Sequence, residues 1–326
     1  YFCLVKILIV RFSSIGDIVL TSSVVRCLKL QLQDAEIHFL TKNAFQSIVA
    51  SNDHINKVFS INKSINEVLA DLKVENYDWV IDLHNNVRTK GLKWKLRRPN
   101  KNFRKLTLQK LLLVNFKKDT MPELHVVDRY FETVAHLGVK PDGKPGDFYI
   151  DASNEIDPRV YGLQPFKYVT IAIGAQHATK RLPVEKLVAL IELISQPIVL
   201  VGGPTDIVAS EEILRLLSKK IIDTCGNLNL QQSASIVKQS AHLITHDTGM
   251  MHIASCLGVK MSTIWGNTVP AFGMTPYVPN DTSLFSVHEV KGLSCRPCSK
   301  IGHEKCPKGH FKCMMEQDLQ RISQSI

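Results

Sequence analysis

The chain has 326 residues, of which 44% are hydrophobic and 21% charged, proportions that exclude global disorder and leave room for two ordinary domains. Its 40 Lys and Arg outnumber 30 Asp and Glu, a formal net charge of +10. No apolar run approaches the roughly 18–20 residues of a bilayer-spanning helix, and no small-residue cleavage site follows the short apolar run near the start, so a signal peptide is not expected.

The first half alternates short apolar runs with helical patterns. Residues 7–10 read as a strand, followed by a Ser-Ser-Ile-Gly-Asp turn and an amphipathic helix over 18–32. Strands are expected at 37–40, 58–61 and 79–83, with a helix near 65–72 and another over 126–137 that ends at Gly138. Pro and Gly then cluster at Pro141-Asp-Gly-Lys-Pro-Gly146, and the pattern restarts. Strands are expected at 168–173, 198–201, 221–225, 242–245 and 261–265. Helices over 184–194, 211–217, 230–239 and 248–257 alternate with them. Strands alternating with helices imply parallel sheets covered on both faces. Two such series predict two doubly wound α/β domains facing across a cleft, over residues 1–158 and 159–326.

The charge is concentrated. Residues 88–118 hold twelve basic side chains and no acid; the remaining 28 basic and 30 acidic residues leave a net of −2. A near-neutral body with one basic segment points to a local anionic partner, against the plainer reading of a solvated helix face. Trp94 and Phe103 are the only aromatics in its most basic part, a thin stacking platform, so nucleic acid is not expected as a partner.

Cys3, Cys27, Cys225 and Cys256 are scattered in apolar contexts and read as small buried hydrophobes. Cys295, Cys298, Cys306 and Cys313 instead crowd together as C-x2-C-x7-C-x6-C, with His303 and His310 interleaved. Four such thiols could close a structural, non-catalytic zinc site; reduced thiols or a disulfide pair are the alternatives.

Ligands of doubly wound sheets bind beyond the carboxyl ends of the strands, which selects three loops. Asp17 stands where a helix opens after the first strand, either capping that helix or facing the site as a general base. A helix N-terminus favours the ionised carboxylate, which works against basicity. The loop Gly174-Ala-Gln-His-Ala-Thr-Lys-Arg-Leu-Pro183 places Lys180 and Arg181 before a helix, a setting suited to phosphate. The third loop, Thr245-His-Asp-Thr-Gly-Met-Met-His-Ile-Ala-Ser255, opens another helix after an apolar strand, with His252 one turn along it, either reaching the same site or packing in the core.

Together Arg11-Phe-Ser-Ser-Ile-Gly-Asp17, Lys180-Arg-Leu-Pro183 and Asp247-Thr-Gly-Met-Met-His252 resemble glycosyltransferase family 9, the heptosyltransferases of lipopolysaccharide core assembly. Val80-Ile-Asp-Leu-His84 with Arg88, His125-Val-Val-Asp-Arg129 and Gly266-Asn-Thr-Val-Pro270 fit the same pattern. Leu182 stands where a Trp commonly precedes the Pro. The resemblance implies a GT-B fold of two Rossmann-like domains, N-terminal for the acceptor and C-terminal for the nucleotide-sugar. It implies inverting transfer of heptose from ADP-heptose to the Kdo–lipid A inner core, with no cofactor required for catalysis. Asp17 and Lys180 would be catalytic. Ala175, Gln176, Lys180, Asp247, Thr248, Gly249 and His252 would bind the donor. Ser13, Ser14, Gly16, His84, Arg88, Arg97, Arg98 and Lys101 would bind an anionic glycolipid acceptor. The enzyme would be cytoplasmic, peripheral at the anionic inner face of the inner membrane. A GT-B enzyme using another nucleotide-sugar, such as an epimerase, is the alternative.

Overall fold

The computed structural model describes residues 5–326, so Cys3 lies outside the described residues. The chain divides into two compact units. The first runs to Lys105 and resumes over Leu124–Tyr149; the second comprises Leu106–Glu123 and Ile150–Ile326.

In the first unit β1 (Lys6–Val10), β2 (Glu36–Lys42), β3 (Lys57–Ile61), β4 (Trp79–Asp82) and β5 (Asn100–Asn102) form a parallel sheet in the order β3-β2-β1-β4-β5. A parallel strand covered on both faces needs an unbroken apolar run. Ile7, Leu8, Ile9 and Val10 meet that need, all fully buried. The expected helix over 18–32 is instead split into α1 (Ile15–Val19) and α2 (Ser22–Gln31). The cause is local: the Thr21 and Ser22 hydroxyls donate to the carbonyls of Ile18 and Val19, at 2.7 and 2.6 Å, in competition with the backbone ladder. The helices α3 (Leu69–Val74) and α4 (Val87–Leu96) pack Leu72, Leu92 and Leu96 into one core with Leu8 and Val10 of β1, Leu40 of β2, Phe59 of β3 and Val80 of β4.

Within the second unit, α5 (Thr107–Phe116) belongs to the excursion over 106–123. It is held there by Lys117, whose Nζ donates to the carbonyls of Cys295 and Pro297 at 3.2 and 2.7 Å, and by Lys110 over the Phe272 ring at 5.7 Å. The chain returns to the first unit through α6 (Val126–Phe131), shorter than the expected 126–137 because a turn intervenes. At that turn the Thr133 hydroxyl donates to the Tyr130 carbonyl at 2.6 Å.

The second sheet combines β6 (Val169–Ala172), β7 (Ile198–Val201), β8 (Ile222–Asp223), β9 (His242–His246), β10 (Met261–Trp265) and β11 (Phe285–Glu289). All pairs are parallel, in the order β11-β10-β9-β6-β7-β8. Read in chain order, this is the 3-2-1-4-5-6 arrangement of dinucleotide-binding domains. Its helices are α7 (Val184–Glu192), α8 (Ile207–Leu216), α9 (Leu230–Lys238), α10 (Gly249–Cys256), α11 (Lys312–Met315) and α12 (Leu319–Ser323). Strand order reverses between β1 and β4 in one sheet and between β6 and β9 in the other. Those two points open the crevices where such sheets bind ligands.

Cys27 and Cys225 are buried as expected, whereas Cys256 is only half-buried. Three enclosed histidines of the second unit, His242, His246 and His288, are pushed by burial to a pKa of about 4, from an ordinary 6.5. The unfolded chain therefore binds more protons than the folded one between those limits, so stability falls as pH drops through that window. Melting temperature is expected to hold near neutrality and decline from about pH 6.5 to about pH 4. His288→Asn should flatten that decline in a thermal-shift titration.

Candidate active site

At the first switch point, β1 ends in a buried cation. Arg11 is 7% exposed; its Nη1 donates to the Leu83 carbonyl at the end of β4, and its Nε to the Ser13 carbonyl at 3.0 Å. The rings of Phe103 and Tyr130 flank it, each 5.8 Å from the guanidinium carbon. Arg11 Nη2 then meets Asp17 Oδ1 at 2.6 Å.

Asp17 is not the cap residue itself. Ser14 holds the N-cap position of α1, and Asp17, three residues on, reaches back to it. Its Oδ2 accepts from the Ser14 N–H at 3.2 Å and the Ser14 hydroxyl at 3.0 Å. Burial raises the pKa of Asp17, but the Arg11 charge and the Ser14 hydrogen bonds outweigh it and hold the carboxyl below its ordinary value. Its side chain keeps 23% of its surface open. Gly16 is buried, and Ser13 and Ser14 are half-buried.

His84 follows β4 on the same edge. Its ring meets Phe12 edge-on at 5.2 Å, and its Nδ1 is buried without a hydrogen-bond partner. Burial, with Arg11 and Lys105 nearby, pushes its pKa to about 4, so it is neutral at physiological pH. Arg88, in the first turn of α4, lies over the Phe12 ring at 5.5 Å. The structure thus brings Asp17, Ser13, Ser14, Gly16, His84 and Arg88 to one edge of the sheet. Arg97 and Arg98 follow the far end of α4, about 15 Å away along a ten-residue helix, and Lys101 lies on edge strand β5.

The basic segment is also less uniform than its composition. Lys93 turns inward to fully buried Asp82 at 2.7 Å, Arg104 pairs with Glu132 at 2.7 Å, and Lys110, Lys117 and Lys118 belong to the second unit. Asp82 Oδ1 also accepts from the N–H groups of His84 and Asn85, at 3.1 and 2.7 Å, which fixes the loop leading into α4.

At the second switch point, Lys180 Nζ lies 2.6 Å from Asp247 Oδ2, and the Thr268 hydroxyl donates to the same oxygen at 2.8 Å. Thr248 is the N-cap of α10 and Gly249 its first residue. Ala175 is half-buried, Gln176 is exposed, and His252 is enclosed at 2% exposure. Arg181 points elsewhere, with Nε to the Ala175 carbonyl at 2.7 Å and Nη1 to Asp206 at 3.3 Å. Asp206 comes this close because residue 174 is glycine: a Cβ there would lie 2.1 Å from its carboxylate.

The loop carrying Lys180 is pinned from two sides by residues that the motifs do not include. His246, at the end of β9, accepts the Leu182 N–H on Nε2 at 2.9 Å. On the other side, Thr179 N–H and Oγ1 both donate to the His303 carbonyl at 3.1 Å, and His303 N–H donates back to Thr179 Oγ1 at 2.8 Å. The cysteine-rich segment supplies that second anchor. Gly302, at φ +132°, carries no Cβ and so leaves room for the His177 side chain. The sequence signal for these anchors was thin: a histidine closing an apolar strand, and a second one between cysteines.

Cys295, Cys298, Cys306 and Cys313 are free thiols. Burial, and then the neighbouring cysteines, raise Cys298; the same causes push Cys313 to about 12. Cys295 Sγ lies 3.9 Å from His310 Nε2. Among the described residues, the one group of three or more potential ligands within 4.8 Å of one another is Glu36, His38 and Glu75, not the cysteines. Lys6 and Lys57 already neutralise that group, at 2.8 and 2.7 Å from Glu75.

Each doubly wound unit thus places an ion pair at its switch point, Arg11 with Asp17 in one and Lys180 with Asp247 in the other. Comparison with known proteins identifies the family. The model of glycosyltransferase family 9 (heptosyltransferase) matches residues 65–304. The lipopolysaccharide heptosyltransferase 1 of Campylobacter coli is 25% identical over 289 residues, 81% of this chain and 84% of the relative. A family 9 glycosyltransferase from Veillonella parvula superposes with a TM-score of 0.79 at 21% identity, covering 98% of this chain and 95% of its own. The Escherichia coli heptosyltransferase WaaC, in a structure with ADP, superposes at 0.67 and 18% identity, covering 98% and 100%. The chain belongs to glycosyltransferase family 9.

Two substitutions test the supports. Lys93→Met strands the buried Asp82 carboxylate and is expected to cost about 3–5 kcal/mol in denaturant unfolding. Thr179→Val removes both hydroxyl bonds to His303 and should speed amide exchange across residues 176–183, with Thr179→Ser restoring protection.

Proposed function

We propose that the protein transfers heptose from ADP-heptose to the inner core of lipopolysaccharide, with inversion at the anomeric carbon. Family membership supports glycosyl transfer of this kind, and the names of the relatives support the donor and acceptor. The observation that carries the chemistry is the Lys180–Asp247 pair beside the N-cap of α10 at a switch point.

In this reading the acceptor hydroxyl attacks the anomeric carbon while Asp17 takes its proton. The bond from that carbon to the diphosphate breaks, and its electron pair leaves with ADP. Attack from the face opposite the leaving group inverts the centre. Lys180 and the first N–H groups of α10 hold the growing negative charge. No metal is needed to supply that charge, and Asp247 keeps the ammonium in place before the donor arrives.

Asp17 meets the demand for a base through its surroundings. The Arg11 pair keeps it ionised, and an acceptor that covers its open surface displaces water and raises its proton affinity. The acceptor is an anionic glycolipid met at the inner face of the inner membrane. In a transfer assay with ADP-heptose and deacylated core, Asp17→Asn is expected to lower kcat by about 10²- to 10⁴-fold. Wild-type turnover in that variant would remove Asp17 from the mechanism, and failure of the native enzyme with ADP-heptose would remove the donor.

A further inference from the structure

The outward face of α4 has a composition that its role in the sheet does not require. At about 100° per residue, Val87, Gly91 and Trp94 fall on one line of α4, opposite the buried Thr89, Leu92 and Leu96. Val87 is 85% exposed and Trp94 72% exposed. Lys90 borders this line on one side, Arg88 and Lys95 on the other, and Arg97 (φ +53°) and Arg98 follow the end of the helix.

None of Arg88, Lys90, Lys95, Arg97 and Arg98 has a carboxylate partner among the described residues, whereas Lys93, on the inward side, is paired with Asp82. Lys95 and Arg98 bond only to the neutral amides of Asn66 and Asn76. Beside Trp94, a cavity of about 500 Å³ between α3 and α4 is lined by Leu72 and Lys73 together with the end of α4.

An exposed valine and indole bordered by cations that lack carboxylate partners have a composition suited to a bilayer interface. The ring sits at headgroup level, and the cations face anionic lipid. Single-stranded nucleic acid fits less well, because the other aromatic of the segment, Phe103, is 6% exposed and packed against Tyr130. We infer that the outward face of α4 docks flat on an anionic bilayer surface. Its first turn leaves the loop bearing His84, so docking would hold the acceptor edge of the sheet at the membrane. That consequence rests on the lipid-borne acceptor proposed above; the docking itself does not.

The test is co-sedimentation of the full chain with vesicles of phosphatidylcholine alone, or with about a third phosphatidylglycerol, in the absence of donor and glycolipid. Binding is expected only with the anionic vesicles, weakened by salt, with tryptophan emission quenched by brominated acyl chains. Lys90→Glu combined with Trp94→Ser should lower partitioning by about tenfold or more and abolish the quenching, while turnover on a water-soluble deacylated acceptor stays at the native level. Native protein left in the supernatant with both vesicle types would overturn the inference, as would undiminished binding by the variant. Equal loss of turnover on soluble and vesicle-borne acceptors would also overturn it, assigning the face to the sugar chain. Because sedimentation needs no catalysis, absence of heptosyl transfer would count against the proposed reaction and not against the docking.

Discussion

A parallel strand delivers its chain to the next element at one edge only. Both sheets are parallel throughout, so the loops that can carry chemistry all emerge from carboxyl ends, and the reversals of strand order decide which of them have room for a ligand. Arg11, Asp17 and His84 flank one reversal; Lys180 and Asp247 flank the other. Apolar runs such as residues 7–10 make this possible, because only strands buried on both faces leave their polar business to the ends. The core and the site are therefore consequences of one arrangement.

Each switch point also holds a close ion pair, and the two differ in what surrounds them. Around Asp17 the cation is buried, tied to two carbonyls and flanked by rings, so the carboxylate is the group left with open surface. At Lys180 both partners are largely covered, and Asp247 receives a further hydroxyl. In the proposed reaction the first arrangement presents a proton acceptor. The second keeps a cation in position against its own flexibility. Neither could be exchanged for the other: an unsupported Asp17 would be a mobile surface acid, and a Lys180 without Asp247 would cost rotamer entropy on every donor encounter.

Much of this was legible in the sequence where structure depends on local pattern. Buried strands announce themselves as apolar runs, and the loops of interest follow from where those runs stop. Strand β5 was not legible, because Asn100–Asn102 is an exposed edge strand with no apolar side chain to mark it. The breaks between α1 and α2 and after α6 depend on a few hydroxyls, those of Thr21, Ser22 and Thr133, turning to carbonyls within their own turn. The least legible features are pairings across long separations. Leu182 with His246 crosses 64 residues, and Thr179 with His303 crosses 124. The basic segment shows the same limit: composition locates its charge, but only tertiary structure sorts the inward lysine from the outward ones.

The excursion over residues 106–123 bears on how this architecture can be taken apart. Because those residues pack with the second unit and Leu124–Tyr149 return to the first, the chain crosses between units three times. Neither unit is a continuous stretch of polypeptide. A fragment cut at residue 149 would carry α5 with Leu108, Leu111 and Phe116 and lack the Phe272 ring and the carbonyls that anchor its lysines. Recombining halves between family members at one junction would separate this helix from its seat. Modular exchange here needs three matched seams, a constraint on how such enzymes can acquire new acceptors by shuffling.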